Sequence, residues 1–246
     1  MINKIKSLFI NDEKHASYYS LDLHSHLIPG IDDGVKTMAE SIECIKKLQT
    51  LGFKKLIITP HIMHGRYNNT SEVILKGLEE VKSELLSQNI DMELQAASEY
   101  YLNEHFMELL EKKEILTFGK NYLLFEMSYA LRPPYLESAI HEMKVAGYTP
   151  VLAHPERYLF MHKDMKTYES LKSMGVLFQV NINSFGGYYS APVKKVALKL
   201  LDAGYIDFLG SDTHKLSHLE HFTKNLQSKV LKKIFTKNKI LNDELF

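Results

Sequence analysis

Apolar residues in this chain fall into short blocks, separated by longer stretches that carry a helical repeat. Seven blocks have the length and composition of buried strands: Ser20–His24, Lys55–Thr59, Met92–Ala97, Tyr122–Glu126, Thr149–Ala153, Val176–Asn181 and Tyr205–Gly210. Between them, apolar positions recur every three or four residues over Thr37–Thr50, Ser71–Ser87, Asn103–Lys112, Pro134–Val145, Lys166–Ser173 and Ala191–Asp202. A last helical stretch runs from about His218 to Phe235. Regular alternation of strand and helix predicts an α/β protein with parallel strands and helical crossovers.

A short internal echo supports this reading. Leu51-Gly52-Phe53 precedes Leu56-Ile57-Ile58 and His61; Ala146-Gly147-Tyr148 precedes Val151-Leu152 and His154; Ala203-Gly204-Tyr205 precedes Phe208-Leu209 and Asp212. Each is a helix stop at glycine, a short strand, and a metal-ligand type at the strand's end.

Polar residues cluster at the same end of the predicted strands. His24 and His26 end or follow the first, His61 follows the second, and Glu99 the third. Glu126 closes the fourth, His154 follows the fifth, and Asp212 and His214 follow the seventh. In a barrel of parallel strands all carboxyl ends open on one face, where active sites are built. A lone histidine is more often a core or surface residue, but six segments ending alike predict one convergent site. Imidazoles and carboxylates together suit first-row divalent ions. In an extended strand, His-x-His and Asp-x-His each place two side chains on one side. Five histidines with several acids exceed the three or four ligands of one catalytic zinc. Two or three ions about 3.5–4 Å apart are expected. Of the other histidines, His64 stays possible through its closeness to His61, and most of the rest read as surface residues.

Composition narrows the classes. At 246 residues with 45% hydrophobic content, one domain with a sizeable core is expected over the whole chain. Lys and Arg together number 30, as do Asp and Glu, which disfavours a general nucleic-acid binder. No apolar stretch approaches the roughly 20 residues of a membrane span. Residues 1–19, with Lys4, Lys6 and Leu8–Ile10, read as a loosely held arm, and its apolar run is too short for a signal peptide. A cytoplasmic protein is expected. The one cysteine, Cys44, lies in an apolar helical pattern, and the sixth residue after it is Thr50. It therefore reads as a core residue and not as the nucleophile of a Cys-x5-Arg phosphate loop. No Gly-x4-Gly-Lys-Ser/Thr loop is present either.

The ordered set His24-Ser25-His26, Asp32-Asp33-Gly34, Thr59-Pro60-His61, Glu99, His154-Pro155-Glu156-Arg157 and Ser211-Asp212-Thr213-His214 resembles the PHP (polymerase and histidinol phosphatase) superfamily. The stretches Asp22 to Gly34, Ala153 to Tyr158 and Gln179-Val180-Asn181 look especially like its bacterial tyrosine-protein phosphatase branch, which accompanies tyrosine kinases of capsular and extracellular polysaccharide synthesis. The likeness runs from about Ser20 to about His221. It implies a distorted seven-stranded α/β barrel of PHP type and a trinuclear centre. Carried over by position, one ion takes His24, His26, Glu99 and Asp212, and a second takes Glu99, Glu126 and His154. A third takes His61, His214 and an acid of the Asp32-Asp33 pair. Asp33 is preferred, although spacing does not separate the two. Manganese is the expected ion, with iron or zinc as alternatives.

The resemblance makes Arg157 a phosphate clamp, as its planar fork suits, against the plain reading of a surface arginine paired with Glu156 or Asp164. Arg66 is a second substrate-binding candidate. Relatives often carry a further arginine soon after Asp-x-His. Here Lys215 to Asn225 contains none, leaving Lys215, His218 or Lys224 to substitute.

The function so implied is metal-dependent phosphotyrosine hydrolysis by a metal-bridged hydroxide, with Arg157 and Asp212 as catalytic residues. The expected partner is a phosphotyrosine-bearing protein, a bacterial tyrosine kinase of polysaccharide synthesis. Tyr100, Tyr101, Tyr129 and Tyr158 are candidates to line a slot for the ring. The alternatives are a small-molecule phosphomonoesterase, such as a histidinol phosphatase, and a non-catalytic metal-stabilised regulatory module.

Overall fold

The computed structural model describes residues 18–246. The expected arm lies outside the described residues up to residue 17. Tyr19, assigned to that arm, is instead core: it is buried, with its ring edge-on to Phe53 at 5.3 Å.

Among the described residues, nine strands form one sheet with every pairing parallel: β1 (Leu21–Ser25), β2 (Lys55–Ile58), β3 (His61–Ile62), β4 (Glu93–Ala96), β5 (Glu99–Tyr101), β6 (Tyr122–Glu126), β7 (Thr149–Ala153), β8 (Leu177–Asn181) and β9 (Phe208–Thr213). Their order is β3-β5-β6-β7-β8-β9-β1-β2-β4. The strand count thus departs from the expected seven. The two further strands are short continuations: β3 follows β2 across Thr59-Pro60, and β5 follows β4 across Ala97-Ser98. Proline has no N–H for the ladder, which favours a break there. The breaks are joined, since Ser98 Oγ and Glu99 N both donate to the Pro60 carbonyl at 2.8 and 3.1 Å. Pairing then resumes, β2 with β4 before the break and β3 with β5 after it.

The helices are α1 (Met38–Thr50), α2 (Ser71–Ser87), α3 (Glu104–Lys112), α4 (Leu136–Val145), α5 (Met165–Ser173), α6 (Ile182–Gly186), α7 (Ala191–Ala203), α8 (Leu216–Leu226) and α9 (Lys229–Lys237). α1 begins where Thr37 and Glu40 form a reciprocal capping box, and it buries Ile42, Cys44, Ile45 and Leu48. Cys44 is therefore a core residue, its thiol pushed up to about 12 by burial. α6 has no periodic signal of its own because it is little more than one turn. The single C-terminal helix expected from about His218 to Phe235 is two helices. The chain turns at Gln227-Ser228, where the Ser228 hydroxyl donates to the Asn225 carbonyl.

Side-chain alternation sorts the strands into two faces. Leu56, Ile58, Leu123, Phe125, Leu152, Phe178, Val180 and Leu209 join the core that includes the helices. Leu21, Leu23, Ile57, Ala97, Leu124, Val151, Ala153 and Phe208 form a smaller cluster on the other face. The last strand runs Phe208–Thr213 and not Tyr205–Gly210. Its start is delayed because Gly204 ends α7 in a left-handed turn and Tyr205 N returns to the Leu200 carbonyl. At the amino ends of the strands, the turn Asn242–Leu245 closes the second cluster. Asn242 Nδ2 donates to the Leu21 and Leu209 carbonyls, its Oδ1 accepts from Leu209 N, and Lys55 Nζ donates to the Leu245 carbonyl. No described helix is long and apolar enough to cross a membrane.

Candidate metal centre

The opposite, carboxyl ends of the strands bring all nine expected ligand residues together. Glu99, at the start of β5, lies at the middle. One of its carboxylate oxygens is 3.0 Å from His24 Nε2, 3.4 Å from His26 Nε2 and 3.2 Å from His61 Nδ1; the other is 2.9 Å from His154 Nε2. Glu126 Oε1 lies 3.2 Å from His61 Nδ1. Asp212 Oδ1 lies 3.6 Å from both His24 and His26 and 3.4 Å from His214 Nδ1. Asp33 Oδ1 lies 3.4 Å from His61 Nε2 and 3.5 Å from His214 Nε2.

Simple alternation explains only some of this. Glu99, Glu126 and His61 have the parity of Ala97, Leu124 and Ile57 and reach the site as extended residues do. His24 and His154 have the wrong parity. Each stands at positive φ, 81° and 34°, which turns its side chain out of the expected order; Asp212 also has positive φ, 51°. The expectation that His-x-His and Asp-x-His sit on plain extended strands is thus corrected. Residues held in this sparsely populated region concentrate at functional sites.

The structure separates the adjacent acids. Asp32 is buried and orienting: its Oδ2 accepts from His26 Nδ1 at 2.8 Å and from His61 N at 3.1 Å, and its Oδ1 accepts from Gly34 N at 2.9 Å. Asp33 is half-exposed and faces two imidazoles. Gln179, part of a stretch that carries the family resemblance but was given no role of its own, accepts from His24 Nδ1 at 2.7 Å and so leaves Nε2 for the cluster.

Electrostatics favour a cation here. Burial alone would raise the Glu99 and Asp212 carboxyls, but the surrounding histidines, and Arg157 at Asp212, pull both well below the usual carboxylate range. Asp33 is likewise drawn down by His214 and His61 against its burial. Burial would lower His26 and His61, yet the facing acids raise both, His26 to about 10. His26 Nε2 and His61 Nδ1 are buried without a hydrogen-bond partner. Four sets of donors each lie within 4.8 Å of one another: His26-Asp33-His61-His214, His24-Glu99-His154, His24-His26-Asp212 and His61-Glu99-Glu126. Mixed imidazole and carboxylate donors with orphaned nitrogens turned toward the same acids fit divalent ions.

A cavity of about 410 Å³ opens over the cluster. Arg157 and Arg66 both line it, with Tyr67, Tyr101 and Tyr129. Tyr100 and Tyr158, expected as slot residues, do not: both are fully buried, and Tyr100 Oη accepts from Leu116 N while Tyr158 Oη donates to the Ala153 carbonyl. Arg157 pairs with neither Glu156 nor Asp164; its Nη1 donates to Asp212 Oδ2 at 3.0 Å. Glu156 is buried and accepts from Asn181 N and Ser184 Oγ. His64 is exposed, its ring 5.1 Å from that of His105, away from the cluster. Of the three substitutes for the missing arginine, Lys215 lines a neighbouring cavity that shares Asp33 and His214. His218 Nδ1 lies 3.3 Å from His214 N, and Lys224 lines neither cavity.

The chain as a whole is similar to known proteins. CapC of Staphylococcus aureus is 29% identical over 207 residues, spanning 84% of this chain and 81% of the relative. The tyrosine-protein phosphatase CpsB of Streptococcus pneumoniae is 28% identical over 242 residues, spanning 92% of this chain and 99% of its own. A crystal structure from work on the metal-dependent tyrosine phosphatases YwqE of Bacillus subtilis and CpsB of S. pneumoniae superposes with a TM-score of 0.75 at 24% identity, covering 89% of this chain and 96% of that one. The family of capsular polysaccharide synthesis proteins CpsB/CapC matches residues 20–242, and the chain belongs to it.

Proposed function

We propose that this chain is a metal-dependent protein-tyrosine phosphatase acting on a bacterial tyrosine kinase of polysaccharide synthesis. The observation that carries the reading is Glu99, one carboxylate ringed by four imidazoles beneath a cavity lined by two arginines. The family membership and the tyrosine-protein phosphatases among its relatives support the same substrate class. We read the nine strands as a single-domain, seven-stranded barrel with two interrupted strands.

His24, His26, Glu99 and Asp212 would hold one ion; Glu99, Glu126 and His154 a second; His61, His214 and Asp33 a third. We take manganese as the ion for this mixed set of five imidazoles and four carboxylates, with iron or zinc as alternatives. When bound, such ions lower the pKa of water and neutralise charge on phosphoryl oxygens. Arg157 grips the phosphoryl oxygens and Arg66 guides the anion at the cavity mouth. Asp212, ionised under the surrounding positive charge, holds Arg157 through Oδ2 while Oδ1 faces the histidines. Tyr67, Tyr101 and Tyr129 shield the reacting group and flank the aromatic ring. Turnover of a phosphotyrosine peptide, histidinol phosphate and single-stranded DNA tests the assignment. The peptide is expected to be preferred, and a preference for histidinol phosphate refutes the reading.

A further inference from the structure

Arg157 is held by more than its ion pair. The Tyr129 ring centroid lies 4.5 Å from the guanidinium carbon and that of Tyr189 lies 4.4 Å from it, both within cation–π range. Tyr129 comes from the loop between β6 and α4, Tyr189 from the segment between α6 and α7, so separate elements meet on one side chain. Tyr189 does a second thing: its hydroxyl donates to Asp212 Oδ2 at 3.2 Å and accepts from Asn181 Nδ2 at 3.0 Å. Asn181 Nδ2 also reaches Asp212 Oδ2, at 2.8 Å. Oδ2 therefore receives three donors. The guanidinium spends Nη1 there and makes no other hydrogen bond among the described residues, although it lines the cavity. An arginine side chain carries substantial rotamer entropy, and prior ordering removes that cost from the binding step.

We propose that Tyr129 and Tyr189 are positioning residues that preset Arg157 to grip a phosphoryl group, Tyr129 through its ring alone and Tyr189 through its ring and its hydroxyl on Asp212. The inference rests on the reading of Arg157 as the phosphate clamp. It gives both tyrosines a role exerted through Arg157, distinct from the place of the Tyr129 ring in the cavity wall.

The test is calorimetric binding of inorganic phosphate to the metal-loaded protein, with thermal melts for each variant. Tyr129→Leu is expected to weaken phosphate about 10-fold, and Tyr129→Phe less than about 2-fold, because the ring face is kept. Tyr189→Leu is expected to behave like Tyr129→Leu, and Tyr189→Phe to fall between, having lost the hydroxyl on Asp212. In an Arg157→Ala background, adding Tyr129→Leu or Tyr189→Leu is expected to change phosphate binding less than about 2-fold, since non-additivity is the mark of action through a shared group. The tyrosine pair gives two independent leucine variants, and the phenylalanine variants serve if either fails to fold. Equal losses with and without Arg157, or phosphate binding unchanged in both leucine variants, overturn the proposal. A wild-type protein that binds phosphate through Arg157 yet turns over no phosphotyrosine peptide instead refutes the proposed function and leaves the positioning role standing.

Discussion

At the scale of single residues, the division of labour between Asp32 and Asp33 is the sharpest result. Their spacing in the sequence is degenerate; only the turn of the loop decides that Asp32 buries itself under His26 while Asp33 looks at His61 and His214. Asp33→Ala is expected to lower the metal content by about one ion per chain. Asp32→Ala is expected to keep the stoichiometry and weaken affinity about 10–100-fold, as loss of an orienting carboxylate does. Metal analysis across a titration separates the two, and the reverse pattern would exchange the roles. The gathering of the histidines, Glu99, Glu126 and Asp212 was legible in the sequence, because imidazoles and carboxylates recurring at strand ends are rare by chance, whereas Asp33 entered only through the family resemblance. Their geometry was legible only where alternation holds, at His61, Glu99 and Glu126. The positive φ of His24, His154 and Asp212 leaves no mark in the one-dimensional pattern. Gln179, Asn181 and Tyr189 escaped functional assignment for another reason: an amide or a phenol that orients a neighbour carries no spacing signal.

At the scale of elements, the segment from His26 to Gly34 is tightly folded on itself, with Val35 N donating to the His26 carbonyl. A β-carbon at Gly34 would lie 2.1 Å from that carbonyl oxygen and 2.5 Å from the His26 β-carbon. Neither neighbour is the end of a flexible side chain. Gly34→Ala is therefore expected to destabilise the fold by about 1–3 kcal/mol and to displace His26 and Asp32 together. Chemical denaturation reads the first effect and metal affinity the second; a variant with wild-type values of both would show that the loop accommodates the methyl freely. Most helices were readable because each buries one face with a regular period, and the longer strands because burial on both faces makes them short apolar blocks. The resumption of the strands at His61 and Glu99 was not, because polar residues and Pro60 interrupt the apolar run and the continuations, two and three residues long, are too short to carry a pattern. The turn at Ser228 was missed because apolar positions recur on both sides of it.

At the scale of the whole molecule, the two ends of the sheet do different work. The carboxyl ends gather the charged cluster, while the amino ends are closed by the Asn242–Leu245 turn. Asn242 is fully buried and serves three backbone groups of β1 and β9. Asn242→Ala leaves those groups without their partner and is expected to cost about 2–3 kcal/mol of stability. Activity per folded molecule should be unchanged, because the turn lies at the end of the strands remote from the cluster. A loss of turnover without a fall in melting temperature would contradict that separation.

The central claim is that chemistry at this site depends on ions held by the histidine–carboxylate cluster. The most direct measurement pairs metal content with hydrolysis of a phosphotyrosine peptide before and after exhaustive chelation. Activity is expected to vanish with the metal, to return on adding manganese, and to survive in Cys44→Ser. Full activity in the metal-stripped protein would contradict the account.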